Sequence, residues 1–175
     1  MSTTPDPKAM FEKWFGRQLE ILDAKFEKGD GAIAALMIAL PLYEWYLVSK
    51  VGKQVAAVAW PGYDLVQTEM GLPDRKTAKK FWHVFRHGLC HTEMPFESSN
   101  EFSALSKVSF HHTYPKLPDL RTTRSGDEVF CVDPWGIVAH VTKKYQDDPS
   151  ILTSLADAPL LAVNLVSPGE VAAPV

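Results

Sequence analysis

Apolar residues recur at three- and four-residue spacing through Phe11, Trp14, Phe15, Leu19, Leu22 and Phe26, which is the period of a helix burying one face. The spacing predicts an amphipathic helix over residues 5–28. Gly29-Asp30-Gly31 breaks it, and Asp30 is the expected cap of the next helix. Residues 32–51 are apolar almost all round, as a central helix would be, with a kink expected at Pro41, which lacks a backbone donor. Residues 54–70 carry a weaker helical pattern, interrupted at Trp60-Pro61-Gly62. Gly71-Leu72-Pro73-Asp74 combines a stop with a cap, and a further helix follows over 75–91. Pro95 closes the helical half.

Beyond Pro95 the period changes from near four to two. Val108, Phe110, His112 and Tyr114 alternate with more polar neighbours, predicting a strand over 107–114. Residues 117–126 read as a polar, proline-containing loop and 128–132 as a second strand, so the two strands are expected to form a hairpin with a long connection. Asp133-Pro134 opens a short helix running to about Tyr145. Residues 149–155 suggest one more helix, 159–166 fit strand or extended chain, and 167–175 read as a flexible tail. The expected architecture is mainly α: an antiparallel helical bundle over 5–95, with a small C-terminal β-hairpin and short helices over 96–166, in a single domain spanning 1–175.

Composition narrows the picture. With 46% hydrophobic and 22% charged residues, the 175-residue chain reads as a soluble globular protein. A net charge of -3 excludes a surface that coats nucleic acid generally and confines any phosphate-binding surface to a local patch. Cys90 and Cys131 are the two cysteines and lack metal-type spacing, which fits a reducing compartment. Residues 1–8 do not resemble a secretory signal. The longest apolar run, 32–42, is shorter than the roughly 20 residues a bilayer requires. The expected setting is cytoplasmic, without a membrane partner.

Chemistry concentrates on the helix over 75–91. On a wheel of about 100° per residue, Ala78, Phe81, Trp82, Val84, Phe85, Gly88 and Leu89 share one broad face. Lys76, Lys79, Lys80, His83, Arg86, His87, Cys90 and His91 share the other. No acidic residue occurs from Arg75 to Thr92, so acids of the same helix do not balance this cationic face. The pattern points to an anion site, with Lys76, Lys79, Lys80 and His83 as candidate phosphate contacts. Arg86 supplies a permanently charged planar fork and His91 a proton donor or acceptor near neutral pH. Together they meet the needs of RNA cleavage through the 2′-hydroxyl, which requires a base, an acid and positive charge on the phosphorane. On an ideal helix Arg86 and His91 point about 140° apart. Convergence then calls for a helix end that departs from ideal geometry, or for a two-fold dimer pairing two motif helices.

Other readings stay open on the same residues. Arg86 and His91 can form structural pairs with acids of a neighbouring segment, such as Glu44 or Glu93. His83, His87 and His91 form an i, i+4, i+8 ladder with zinc-ligand geometry, although lysines on that face oppose a cation. Cys90 reads as packing. His111 and His112 are expected on opposite faces of a strand. Trp14, Trp45, Trp60 and Trp82 read as core, while Trp135 fits either core or a binding surface.

The run Arg86-His87-Gly88-Leu89-Cys90-His91 at a helix end resembles the HEPN (higher eukaryote and prokaryote nucleotide-binding) superfamily, whose motif is an arginine, a polar residue, three further residues and a histidine. The resemblance covers roughly residues 5–95. It implies an antiparallel helical bundle, a homodimer, and metal-independent endoribonuclease activity without cofactor, in which Arg86 and His91 are catalytic and His87 supports them. It also implies RNA as partner and a setting in stress or phage defence, toxin-like in character. Members regulated by a nucleotidyltransferase antitoxin carry a tyrosine two residues after the histidine, where this chain has Glu93, so a regulatory protein partner stays unnamed. The alternative within the same resemblance is a non-catalytic module that binds a nucleotide or a protein.

Overall fold

Asp6 starts the first helix: its Oδ1 accepts from the Lys8 backbone N–H at 3.1 Å, ahead of Pro7 at the first helical position. In the computed structural model, which describes residues 6–25, 31–52, 59–89 and 107–152, α1 (Pro7–Phe11) runs into a π-helical segment (Glu12–Gly16) and on into α2 (Arg17–Lys25). The wide turn carries the buried line from Phe11 to Gly16 and then Leu19, which leaves Trp14 at the exposed edge, 37% accessible. The regular periodicity of the sequence does not register that extra residue in the turn.

α3 (Ala32–Val51) is the centre of the molecule, with Ala35, Leu36, Ala39, Leu40, Tyr43 and Leu47 all buried. Gly31 occupies its cap position and makes no side-chain cap bond; Asp30, the expected cap, lies outside the described residues. The helix continues through Pro41. That proline has no N–H for the carbonyl of Met37, which lies on the exposed side of the helix, where water can take its place. At 20 residues and mean hydropathy 1.6, α3 passes the length and composition test for a membrane span, further than the shorter run of 32–42 suggested. Half of that stretch is buried inside the protein.

α4 (Gly62–Glu69) ends at Gly71, whose φ of +64° is the left-handed conformation a helix stop favours. α5 (Arg75–Trp82) is capped by Asp74, which accepts from the Thr77 backbone N–H at 2.7 Å. The expected α-helix over 75–91 is α-helical only to Trp82 and π-helical over His83–Leu89. The face predicted to pack does pack: Ala78, Phe81, Trp82, Val84, Phe85 and Leu89 are completely buried.

The second half corrects the predicted hairpin. β1 (Lys107–Phe110), β2 (Asp119–Thr122) and β3 (Glu128–Val132) form a sheet in the order β1-β3-β2. β1 and β3, the two strands read from the sequence, pair in parallel, with Val108 opposite Phe130. The hairpin partner of β3 is β2, from the segment read as loop, with Leu120 opposite Phe130. β2 is an edge strand with Arg121 and Thr122 exposed, so it offers no alternating apolar signal. His111 and His112 do not decorate β1. They follow its end, both exposed, with rings stacked 4.5 Å apart.

α6 (Pro134–Asp147) starts at Asp133, whose Oδ1 accepts from the Trp135 backbone N–H at 3.1 Å. It packs against α3 more extensively than any other pair of elements does, and the Tyr145 hydroxyl donates to the Leu42 carbonyl at 2.6 Å. Among the described residues, one hydrophobic core therefore joins residues from Phe11 to Leu152 in both halves of the chain. The fold is mainly helical with one small three-stranded sheet.

Candidate functional site

The cationic face of α5 meets acids that its own helix lacks. Arg75 Nη1 donates to Asp64 of α4 at 2.9 Å, and its Nη2 to the Trp60 carbonyl at 2.8 Å. Lys80 reaches across to Glu128 of β3. Arg86, in the π-helical segment, donates through Nε to Glu44 of α3. Three elements thus send carboxylates to this helix. A reading limited to i,i+4 partners does not see them, although Glu44 had been identified as a possible partner of Arg86.

Arg86 and Glu44 are 18% exposed at each side chain, so the pair sits at the boundary of core and solvent. Glu44 engages Nε, the guanidinium nitrogen closest to the chain, and so orients the planar fork. Lys79 and His83 are half-buried, and Lys76 is exposed. His91 and Cys90 lie outside the described residues, as does the side chain of His87. Of the candidate zinc ladder, only the side chain of His83 is described. Among the described residues, no group of three or more His, Cys, Asp or Glu is placed to hold a metal ion.

The π winding bears directly on the motif. Its hydrogen bonds run i→i+5, so a full turn takes about one residue more than in an α-helix. Residues five apart, which diverge by about 140° on an α-helix, then come back towards one face. Five is the spacing of Arg86 and His91 in the sequence; the π-helical segment itself is described to Leu89.

A second polar cluster, not anticipated from the sequence, lies on an adjacent face of α3. Glu69, at the end of α4, accepts from Tyr46 at 2.6 Å and Lys144 at 2.8 Å through Oε1, and from Tyr43 at 2.9 Å through Oε2. His140 Nε2 stands 3.7 Å from Oε2, beyond ordinary hydrogen-bond distance. Burial pushes the Glu69 carboxyl up, but His140, Lys144, Tyr46 and Tyr43 together outweigh it and bring it down from 4.5 to about 2. Burial first, and then Glu69, push both tyrosine hydroxyls well up, so they act as neutral donors. The sequence signal was present as Tyr43 and Tyr46 three apart on α3 and His140 and Lys144 four apart on α6. Without the fold, nothing linked those pairs to Glu69.

Of the four tryptophans read as core, Trp60 and Trp82 are fully buried, Trp45 is half-buried and Trp14 is exposed, and Cys131 is a buried free thiol. No family model, curated protein or solved structure matches the chain.

Proposed function

We propose that this protein is a HEPN-like, metal-independent endoribonuclease built on an antiparallel helical bundle, with a composite site formed by two motif helices of a cytoplasmic homodimer. The observation that carries the proposal is the π-helical end of the motif helix. Winding of this kind, seen over His83–Leu89, brings residues five apart nearer to one face than an α-helix does, which is what an arginine–histidine pair at this spacing needs; His91 itself lies outside the described residues. Glu44 supports the reading by holding the guanidinium in one orientation before substrate arrives.

In this mechanism the imidazole of His91 takes the proton of the RNA 2′-hydroxyl, whose oxygen attacks the adjacent phosphorus. The bond to the 5′-oxygen breaks, and the histidine of the second protomer returns a proton to that oxygen. Arg86 stabilises charge on the phosphorane, and His87 orients the phosphate. Lys76, Lys79, Lys80 and His83 hold flanking phosphates. The products are a 2′,3′-cyclic phosphate and a 5′-hydroxyl. Mixed RNA incubated with the purified protein should be cut equally well with and without EDTA and yield those ends. Cleavage of DNA, or of RNA methylated at the 2′-oxygen, would refute the mechanism. A role in stress or phage defence is part of the proposal.

A second reading, a non-catalytic binding module, is favoured by the Arg86–Glu44 and Lys80–Glu128 pairs, which already neutralise two cations of the face. The absence of any RNA cleavage, together with retained RNA binding, would select it.

A further inference from the structure

A cleft of about 270 Å³ opens where the parallel strands end and α6 begins, in the half of the chain that the family resemblance does not cover. Four of its seven lining residues carry aromatic rings: Phe110 at the end of β1, the stacked pair His111 and His112, and Trp135 in the first turn of α6. Ala32, the first residue of α3, and Asp133 also line it. A loop carbonyl helps fix this corner: Lys116 passes so close to Gly136 that a Cβ there would run into it. Asp133 is 1% exposed, and its oxygens accept from the Trp135 N–H and from Lys116 Nζ at 2.8 Å. Both oxygens are thus engaged within the protein, and Asp133 holds the cleft wall in place.

We propose that this cleft binds a single nucleobase of purine size. The volume falls just under the range of sites for drug-sized ligands and suits one ring system, not a stacked pair. Indole, phenyl and imidazole faces are the surfaces on which proteins stack unpaired bases. Lys116, its side chain 77% exposed, pairs with the cleft residue Asp133 and so brings a cation close to the cleft. The cleft is also coupled to the motif helix: Phe110 meets Phe85, the neighbour of Arg86, edge-on at 6.1 Å. The base has two possible sources, a free nucleotide or an unpaired residue of an RNA chain. The second source rests on the nuclease reading and the first does not.

Isothermal titration of the full chain with GMP and with ribose 5-phosphate tests the proposal. GMP should bind, and ribose 5-phosphate should bind at least about tenfold more weakly, since stacking carries the affinity. Trp135→Ala should weaken GMP roughly fivefold or more. Because Trp135 is half-buried, the exposed His112→Ala provides a second variant that spares the core, with a smaller loss in the same direction. Arg86→Ala should bind GMP normally, which separates this cleft from the cleavage site. A 2′-O-methylated RNA oligomer that binds more tightly than GMP, with the same dependence on Trp135 and His112, assigns the base to an RNA chain. GMP binding without that gain assigns a free nucleotide. Equal affinity for GMP and ribose 5-phosphate, or unchanged GMP affinity in both cleft variants, overturns the proposal.

Discussion

Glu44 and Glu69 are both carboxylates at the flank of α3, and they meet opposite fates. Glu69 collects two tyrosine hydroxyls and a lysine at hydrogen-bond distance and a histidine at ion-pair distance, tying α3, α4 and α6 together. Glu44 meets the guanidinium of Arg86 on a helix end of unusual winding. Both sites are partly desolvated, but Glu69 gathers three hydrogen-bond donors from two other helices, and losing it would leave them without their acceptor. Glu44 instead pairs with a guanidinium that, on the proposed reading, acts on RNA. Burial and charge pairing are common to both clusters, so the type of partner and the local backbone are what distinguish them.

The sharpest way to break this comparison is to remove one member of each cluster. Arg86→Ala or His91→Ala should lower RNA cleavage by about 100- to 1,000-fold, the usual cost of losing a group that stabilises transition-state charge. Melting temperature should change little. If either variant unfolds instead, the motif belongs with Glu69 as structure. Glu69→Gln should cost about 2–3 kcal/mol, because it weakens a carboxylate to which buried donors point. At this chain length that corresponds to a fall of roughly 5–10 °C in the melting temperature, and cleavage measured well below it should persist.

Acid sharpens the contrast further. The Glu69 carboxyl is lowered in the folded state, so its stabilising contribution is complete above its ordinary value of 4.5 and disappears as pH falls through about 2. Urea midpoints for the wild type should decline across that window, and Glu69→Gln should flatten the decline. An unchanged pH profile would show that the cluster does not govern acid stability. The smallest effect is expected at the rim of the cationic face. Glu128→Gln frees Lys80 for phosphate, so RNA affinity should rise about threefold with a steeper dependence on salt. A fall in affinity would place the RNA elsewhere.

The helical elements and the buried face of the motif helix were legible because they rest on local periodicity. Phe81, Trp82, Phe85 and Leu89 fell on the predicted side, and the caps at Asp74 and Asp133 formed where short polar residues precede a helix. What escaped depends on partners distant in sequence. β2 is too polar to announce itself and becomes a strand because β3 offers it an edge. The π segments interrupt helices whose amino-acid pattern stays regular. The charge balance of the motif helix comes from Glu44, Asp64 and Glu128 on three other elements. Of the site itself, Arg86 and its possible partner Glu44 could be named from the sequence, whereas the cluster around Glu69 is a product of the fold.

The packing of α3 on α6 has a consequence for how the protein is made. The cover for the most apolar helix is encoded roughly 80 residues downstream, which at ribosomal speed means about 4–16 s of waiting. During that interval the nascent chain displays a segment that passes for a membrane span by length and composition. Trigger-factor-like holdases and the targeting machinery for membrane insertion would therefore compete for it. Slowing translation between α3 and α6 should shift the product towards aggregates or the membrane fraction, even though no residue of the finished protein has changed.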